Sequence, residues 1–128
     1  MAEKTIRVAL VGLNEAGEIF AEHFLEQIQE GRKPVEIIAV ADPNPNSPVA
    51  LGFAQNRVPV YTDPAEVARL GEKLDIIFDL TGDPSIRQKL RLELLEKRNL
   101  HTVIASEEVA RLLWCFFNEK KDFPTVKK

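Results

Sequence analysis

The chain has 128 residues, 45% apolar and 29% charged, with 17 Lys+Arg against 20 Asp+Glu and a formal charge of -3. That length suits one domain with a sizeable core, and the acidic balance argues against a general nucleic-acid binder, which carries a basic excess on one face. One Cys excludes an intramolecular disulfide and a Cys-only metal cluster. No apolar run approaches the ~20 residues of a membrane helix. The N-terminus lacks a signal peptide's apolar segment and cleavage site, so the expectation is a cytoplasmic chain without nucleic-acid or membrane partners.

Short β-branched runs alternate with helical periods. Arg7-Val8-Ala9-Leu10-Val11, ending at Gly12, predicts a buried strand. Residues 15–30 predict a helix with Ile19, Phe20, His23, Phe24 and Ile28 on one side, closed by Gly31 as its C′ residue. Val35–Ala41 predicts a second strand, stopped by Asp42-Pro43. Three prolines keep residues 42–48 out of strand and helix interiors. Ser47 then caps a helix with Pro48 at its first position, running through Gln55. A brief strand follows at Val58–Tyr61. Helix starts of the same grammar recur at Asp63-Pro64 and at Asp83-Pro84, the latter helix reaching Arg98, and Asp75–Leu80 between them predicts a strand. His101–Ala105 predicts the last strand. Ser106 opens the last helix, with Glu107 and Glu108 in its positive first turn. Five strands alternating with helices predict an α/β fold, a doubly wound, Rossmann-like parallel sheet with helices on both faces. Residues 1–119 form the expected nucleotide-binding domain, and 120–128 a flexible tail or linker.

Gly12-Leu13-Asn14-Glu15-Ala16-Gly17 lies between the first strand and the first helix, where the dinucleotide fingerprint G-x-G-x-x-G belongs. The first glycine permits the tight turn and the last allows close helix–strand packing. Asn14 stands at the middle position, where a left-handed backbone is tolerated by Asn. Its side chain either hydrogen-bonds a phosphate or obstructs one, and Glu15 adds a negative charge nearby. The loop therefore either binds nucleotide or simply turns the chain. Asp42 ends the second strand, where the fingerprint places an acid that accepts from the adenosine ribose. A carboxylate there repels a 2′-phosphate, and no Arg or Lys occurs in Pro43–Pro48. NAD(H) is thus favoured over NADP, unless Asp42 only shapes the Asp-Pro turn. Thr81 and Gly82 follow the fourth strand at the same edge and complete the candidate site; Gly82 allows close approach and Thr81 offers a hydroxyl, while Asp83 caps the helix. Thr62-Asp63 is a weaker candidate of the same kind.

Val8 to Gly17, and then Val35 to Pro45, resemble the N-terminal half of the glucose–fructose oxidoreductase and inositol dehydrogenase family. The resemblance continues through Asp75–Thr81 into His101–Glu108. It implies a Rossmann domain that binds NAD(P), with substrate held by a second, sheet-containing domain. The family's Glu-Lys-Pro signature, whose Lys helps catalysis, corresponds to Ser106-Glu107-Glu108-Val109, where Glu stands at the Lys position and no Pro follows. No catalytic residue carries over. Asp42-Pro43-Asn44, Thr81-Gly82-Asp83-Pro84 and Ala110-Arg111-Leu112-Leu113-Trp114 also look similar to Rossmann-like segments near the N-terminus of bacterial sensor chains, which implies ligand sensing.

On the last helix Val109, Leu112, Leu113 and Phe116 share a face assigned to the sheet. Ala110, Trp114 and Phe117 form an adjoining stripe, making the apolar arc about twice the ~100° a surface helix needs. Trp114 and Phe117 are therefore expected to meet a second copy in a homodimer, or a following domain. In the helix from Pro84, Ile86, Leu90 and Leu94 form one face while Leu92 and Leu95 point elsewhere. His23 is expected as a packed core-edge imidazole, His101 as structural and Cys115 as a small hydrophobe. No spacing supports a metal site. These features predict an NAD(H)-binding regulatory or sensory domain without its own catalytic machinery. The alternatives are an NAD-dependent oxidoreductase half completed by a partner domain or subunit, and a non-binding Rossmann-like interaction module.

Overall fold

The computed structural model describes residues 4–117. Five strands, β1 (Ile6–Val11), β2 (Val35–Ala41), β3 (Val60–Tyr61), β4 (Ile76–Asp79) and β5 (Val103–Ala105), form one sheet in the order β3-β2-β1-β4-β5. Every pairing is parallel. The helices are α1 (Glu15–Gly31), α2 (Pro48–Gln55), α3 (Pro64–Ala68), α4 (Pro84–Glu96) and α5 (Glu107–Phe117), with a 3-10 turn at Gly71–Lys73 that the sequence pattern did not announce.

The strand sequence explains why both faces are covered. In β1, Val8 and Leu10 point to one side with Phe20, Ala21 and Phe24 of α1, Ala50 and Phe53 of α2 and Trp114 of α5. Ala9 and Val11 point to the other, with Val67 and Ala68 of α3 and Leu90 and Leu94 of α4. The aromatic centre of the first layer is Phe20, Phe24 and Phe78, with ring centroids 5.3–5.7 Å apart. Each fully buried ring contributes roughly 1.5–3 kcal/mol by burial alone. The pairing of β1 with β2 slips after Val8, which faces Ile37 while Ala9 faces Ala39. The extra residue, Ile38, packs with Ala39 on the α3–α4 side. Connections towards β3 thus carry their helices on one face and connections towards β5 on the other, as right-handed crossovers require.

Helix starts follow the predicted grammar. Ser47 Oγ accepts from the Ala50 amide at 3.2 Å, Asp63 Oδ1 from Ala65 at 3.0 Å, and Asp83 Oδ1 from Ser85 at 2.9 Å, each with proline next in line. Helix ends do not. Gly31 stays inside α1, and Arg32 takes the left-handed turn (φ 47°), its amide donating to Ile28 O. The atoms nearest a Gly31 Cβ would belong to the exposed, flexible Lys33 side chain, so the glycine supplies neither the turn nor a backbone contact. Arg57 and Arg98 are left-handed in the same way beyond α2 and α4. Strands β3 and β5 are each two residues shorter than expected at their start.

Apart from Leu113, which packs against the core as expected, the expected faces of α5 are reversed. Trp114 is only 3% exposed and Ala110 fully buried, whereas Val109, Leu112 and Phe116 are exposed, Phe116 to 76%. The helix packs on α1 as well as on the sheet, and the Trp114 ring meets His23 edge-on with centroids 4.8 Å apart. A stripe judged surplus for a sheet alone is consumed by this helix–helix contact. The Phe117 side chain and the 120–128 segment lie outside the described residues. His23 is a core-edge imidazole as expected, with its Nδ1 3.0 Å from Ile19 O. In α4 the buried face is Leu90 and Leu94, with Leu92 and Leu95 exposed, also as expected. Among the described residues no helix is long and apolar enough to cross a membrane.

Candidate functional site

Register brings the candidate residues to one level. Val11 pairs with Ala41 on one side and with Asp79 on the other, so the chain leaves the sheet together at Gly12, Asp42 and Leu80. Sheet order reverses between β1 and β4, where an open α/β sheet holds its crevice.

The two loop glycines do separate tasks. Gly12 has φ 96°, a left-handed conformation that favours glycine, and its amide donates to Ala41 O at 2.8 Å. A Cβ on Gly12 would stand 2.9 Å from Thr81 Cγ2 and 3.1 Å from the Thr81 amide nitrogen, so the β4 loop rests on the turn. A Cβ on Gly17 would stand 2.0 Å from Gly12 O, so α1 touches the turn backbone to backbone.

Leu13 and Asn14 diverge. Leu13 is a core side chain, and its amide donates to Asp42 Oδ1 at 2.8 Å. Asn14 is the N-cap of α1 with φ -87° and ψ 178°, ordinary extended backbone, so the left-handed geometry expected for it is not used; Gly12 alone supplies the positive φ. Its carboxamide caps no amide, and the side chain is exposed. Since a helix's first amides have no intrahelical acceptor, those of Glu15, Ala16 and Gly17 open the helix without a side-chain cap. The helices α2, α3 and α4 each have one. The Glu15 and Ala16 side chains lie outside the described ones.

Asp42 is 8% exposed. Its Oδ1 takes the Leu13 amide and its Oδ2 the Asn44 amide at 2.9 Å. It therefore shapes the Asp-Pro turn and also ties that turn to the glycine loop. A carboxylate has about four acceptor positions, so two remain. Pro43 is exposed beside it.

Across the crevice the Thr81 hydroxyl donates to Asp79 Oδ1 at 2.6 Å and accepts from the Asp83 amide at 3.1 Å. Gly82 is left-handed (φ 69°), and a Cβ there would lie 3.4 Å from Glu107 Oε2. The Ser85 hydroxyl and amide hold Asp83 below the usual carboxylate range, consistent with its capping role. Asp63 pairs with Lys89 at 2.9 Å, which lowers its pKa together with the Ala65 amide.

One residue escaped the sequence reading. Asp79 is fully buried at the end of β4, and its Oδ2 lies 3.5 Å from Arg87 Nε of α4, neither atom making a hydrogen bond. The signal was available: a carboxylate within the apolar run Ile76-Ile77-Phe78-Asp79-Leu80 is a polar group where a doubly covered strand expects none. Among the described residues no group of three His, Cys, Asp or Glu side chains is placed to hold a metal.

No protein-family model and no curated protein matches the sequence. Solved structures do match. A homoserine dehydrogenase of S. aureus shares 23% identity over 93% of this chain and 31% of that one, with a TM-score of 0.60. A homoserine dehydrogenase from Thiobacillus denitrificans shares 24% over 89% and 26%, with a TM-score of 0.54. A myo-inositol 2-dehydrogenase from Lactobacillus plantarum shares 20% over 80% and 36%, with a TM-score of 0.50. The chain spans 26–36% of the length of these three. What it shares with them is the fold, a five-stranded parallel, Rossmann-type α/β domain.

Proposed function

We propose that this chain binds a nicotinamide dinucleotide, NAD(H) in preference to NADP(H), in the crevice at the carboxyl ends of β1, β2 and β4. Its role is regulatory or sensory, without catalytic machinery of its own. The observation that carries the reading is the start of α1, where a positive-φ Gly12 and a contact-packed Gly17 present a helix N-terminus that Asn14 does not cap. Amides and helix dipole there favour a phosphate group. The exposed Asn14 carboxamide has an NH2 to offer a phosphate oxygen. The two unused acceptor positions of Asp42 suit ribose hydroxyls, and its charge, with no Arg or Lys in Pro43–Pro48, disfavours a 2′-phosphate. On the β4 side Gly82 is left-handed and carries no side chain, with the Glu107 carboxylate beside it. The bound group would supply redox-state information through its nicotinamide; Ser106-Glu107-Glu108-Val109 offers no Lys for turnover.

A second reading is favoured by length. Because the chain spans 26–36% of the dehydrogenases it resembles in fold, it also fits the cofactor half of an oxidoreductase completed by another domain. The outward face of α5, Val109, Leu112 and Phe116, is where a following domain or a second copy would sit.

Calorimetric titration with NAD, NADH, NADP and CoA tests the reading. NAD or NADH should bind and raise the melting temperature, with NADP weaker. No heat and no thermal shift at millimolar ligand would leave a non-binding interaction module. Hydride transfer by the purified chain would overturn the non-catalytic role.

A further inference from the structure

Asp79 has no part in the binding scheme above, yet its burial needs an account, because an ionised carboxylate is costly to bury unless it is paired and hydrogen-bonded. Its Oδ1 accepts from both the amide (3.1 Å) and the hydroxyl (2.6 Å) of Thr81. Its Oδ2 faces the Arg87 guanidinium at 3.5 Å. The Thr81 hydroxyl is thus engaged twice, giving its proton to Asp79 and taking one from the Asp83 amide. Two engagements on one oxygen fix χ1, and χ1 decides where the methyl group goes. That methyl is Cγ2, the atom 2.9 Å from the position a Cβ on Gly12 would occupy.

We infer that Asp79, neutralised by Arg87, is a positioning residue for the dinucleotide turn: it locks the Thr81 rotamer, and the Thr81 methyl holds Gly12 in its left-handed conformation. The inference deepens the dinucleotide reading and rests on it for its effect on affinity. A simpler role, in which the pair only joins α4 to β4, would have no reason to reach the glycine turn on the neighbouring strand. On the other side of that turn Asp42 holds the Leu13 amide, so the loop is fixed from both flanks by a buried acid.

The test uses the full chain with Asp79→Ala, Asp79→Asn and Thr81→Ser, reading NADH affinity by fluorescence titration, amide hydrogen exchange at Gly12, Thr81 and Asp83, and melting temperature. Asp79→Ala should lose protection at all three amides and bind NADH about tenfold more weakly, the scale of a lost charge-assisted hydrogen bond. Asp79→Asn keeps an acceptor oxygen for Thr81 and should retain most of the protection and affinity. Thr81→Ser keeps the hydroxyl and deletes only the methyl. It should preserve protection at Thr81 and Asp83 yet lose it at Gly12, with weaker binding and little change in melting temperature. A folded Asp79→Ala with wild-type protection at Gly12, or a Thr81→Ser indistinguishable from wild type at Gly12, overturns the inference. Should Asp79→Ala fail to fold, Asp79→Asn and Thr81→Ser decide it alone. A wild-type chain that binds no dinucleotide refutes the reading of the site instead; exchange at Gly12 then still decides whether Asp79 positions the turn.

Discussion

Replacing Gly17 by alanine should destabilise the fold although it improves the helix. Within a helix interior Gly→Ala is worth about 1 kcal/mol in favour of the alanine. Against it stands a Cβ 2.0 Å from Gly12 O and 2.9 Å from Gly12 C, both backbone atoms that no rotamer change can move. To restore an ordinary contact α1 must withdraw from β1 by more than about 1 Å, loosening the Phe20 and Phe24 packing beneath it. Overpacking of this kind costs about 1–3 kcal/mol in a core that can adjust, and two segments of main chain adjust less readily than side chains. With the ~1 kcal/mol propensity gain set against the upper end of that range, the net loss is about 2 kcal/mol. For a domain of this size that lowers the melting temperature by roughly 8 °C. Gly52→Ala is the matched control. It lies within α2 with nothing within 4 Å of its Cβ, so it should gain about 0.5–1 kcal/mol and melt a few degrees higher. Thermal unfolding followed by circular dichroism measures both. A Gly17→Ala chain melting at or above wild type would refute the contact argument, and the assignment of the last fingerprint glycine with it.

Further outcomes follow from the same geometry. The Arg7 amide, the His101 ring and the Arg7 guanidinium hold the Asp75 carboxyl well below the usual carboxylate range. Its stabilisation is therefore present above the ordinary carboxylate pKa and is lost as pH falls towards the depressed native one. Wild type should exceed Asp75→Asn in urea midpoint at pH 7, with the gap narrowing at pH 3; a gap that widens in acid contradicts this. Trp114→Ala should cost about 3–5 kcal/mol in urea unfolding, as for a buried aromatic, whereas a loss under ~1 kcal/mol would restore the exposed stripe first expected. Asp42→Ala leaves the buried Leu13 amide without its acceptor and should lower stability by about 1–3 kcal/mol even without ligand. Its loss of dinucleotide affinity, about 1.5–3 kcal/mol if a ribose is held, is measured separately by calorimetry; unchanged affinity removes Asp42 from the site. Replacing Leu112 and Phe116 with lysine should shift sedimentation towards monomer if a second copy covers α5.

The parts of the fold legible in the sequence were those set by local chemistry. Ser47-Pro48, Asp63-Pro64 and Asp83-Pro84 each specify a helix start through one side-chain oxygen and one missing amide, and all three stand where expected. The parallel, doubly covered sheet followed from the alternation of strands and helices. What escaped depended on partners distant in sequence. No wheel of α5 shows that Trp114 lies against His23, because that contact joins helices far apart along the chain. The Arg32, Arg57 and Arg98 turns escaped because exposed arginines take the left-handed positions where glycine is favoured, which residue preference does not announce. At the crevice, Gly12 and Gly17 declared their roles through spacing. Asp42 declared a position without revealing that the Leu13 and Asn44 amides already occupy its two oxygens.

That occupation bears on how the crevice would work. An acid free to swing would have to be ordered by its ligand, at the entropic cost that attends any immobilised side chain. Asp42 and Asp79 are already ordered, one on each flank of the Gly12 turn, and both are buried. The fold therefore shapes the turn before a ligand arrives. Against this economy of bonds, the opening of α1 is conspicuous. Asn is among the preferred cap residues, worth about 1 kcal/mol when it accepts from the first turn, yet Asn14 leaves that bond unmade while Ser47, Asp63 and Asp83 make theirs. Side-chain caps stabilise the starts of α2, α3 and α4 but not that of α1, which under the proposed reading would leave its first amides for a phosphate. Local rules are broken in this way where a site needs the groups for something other than folding.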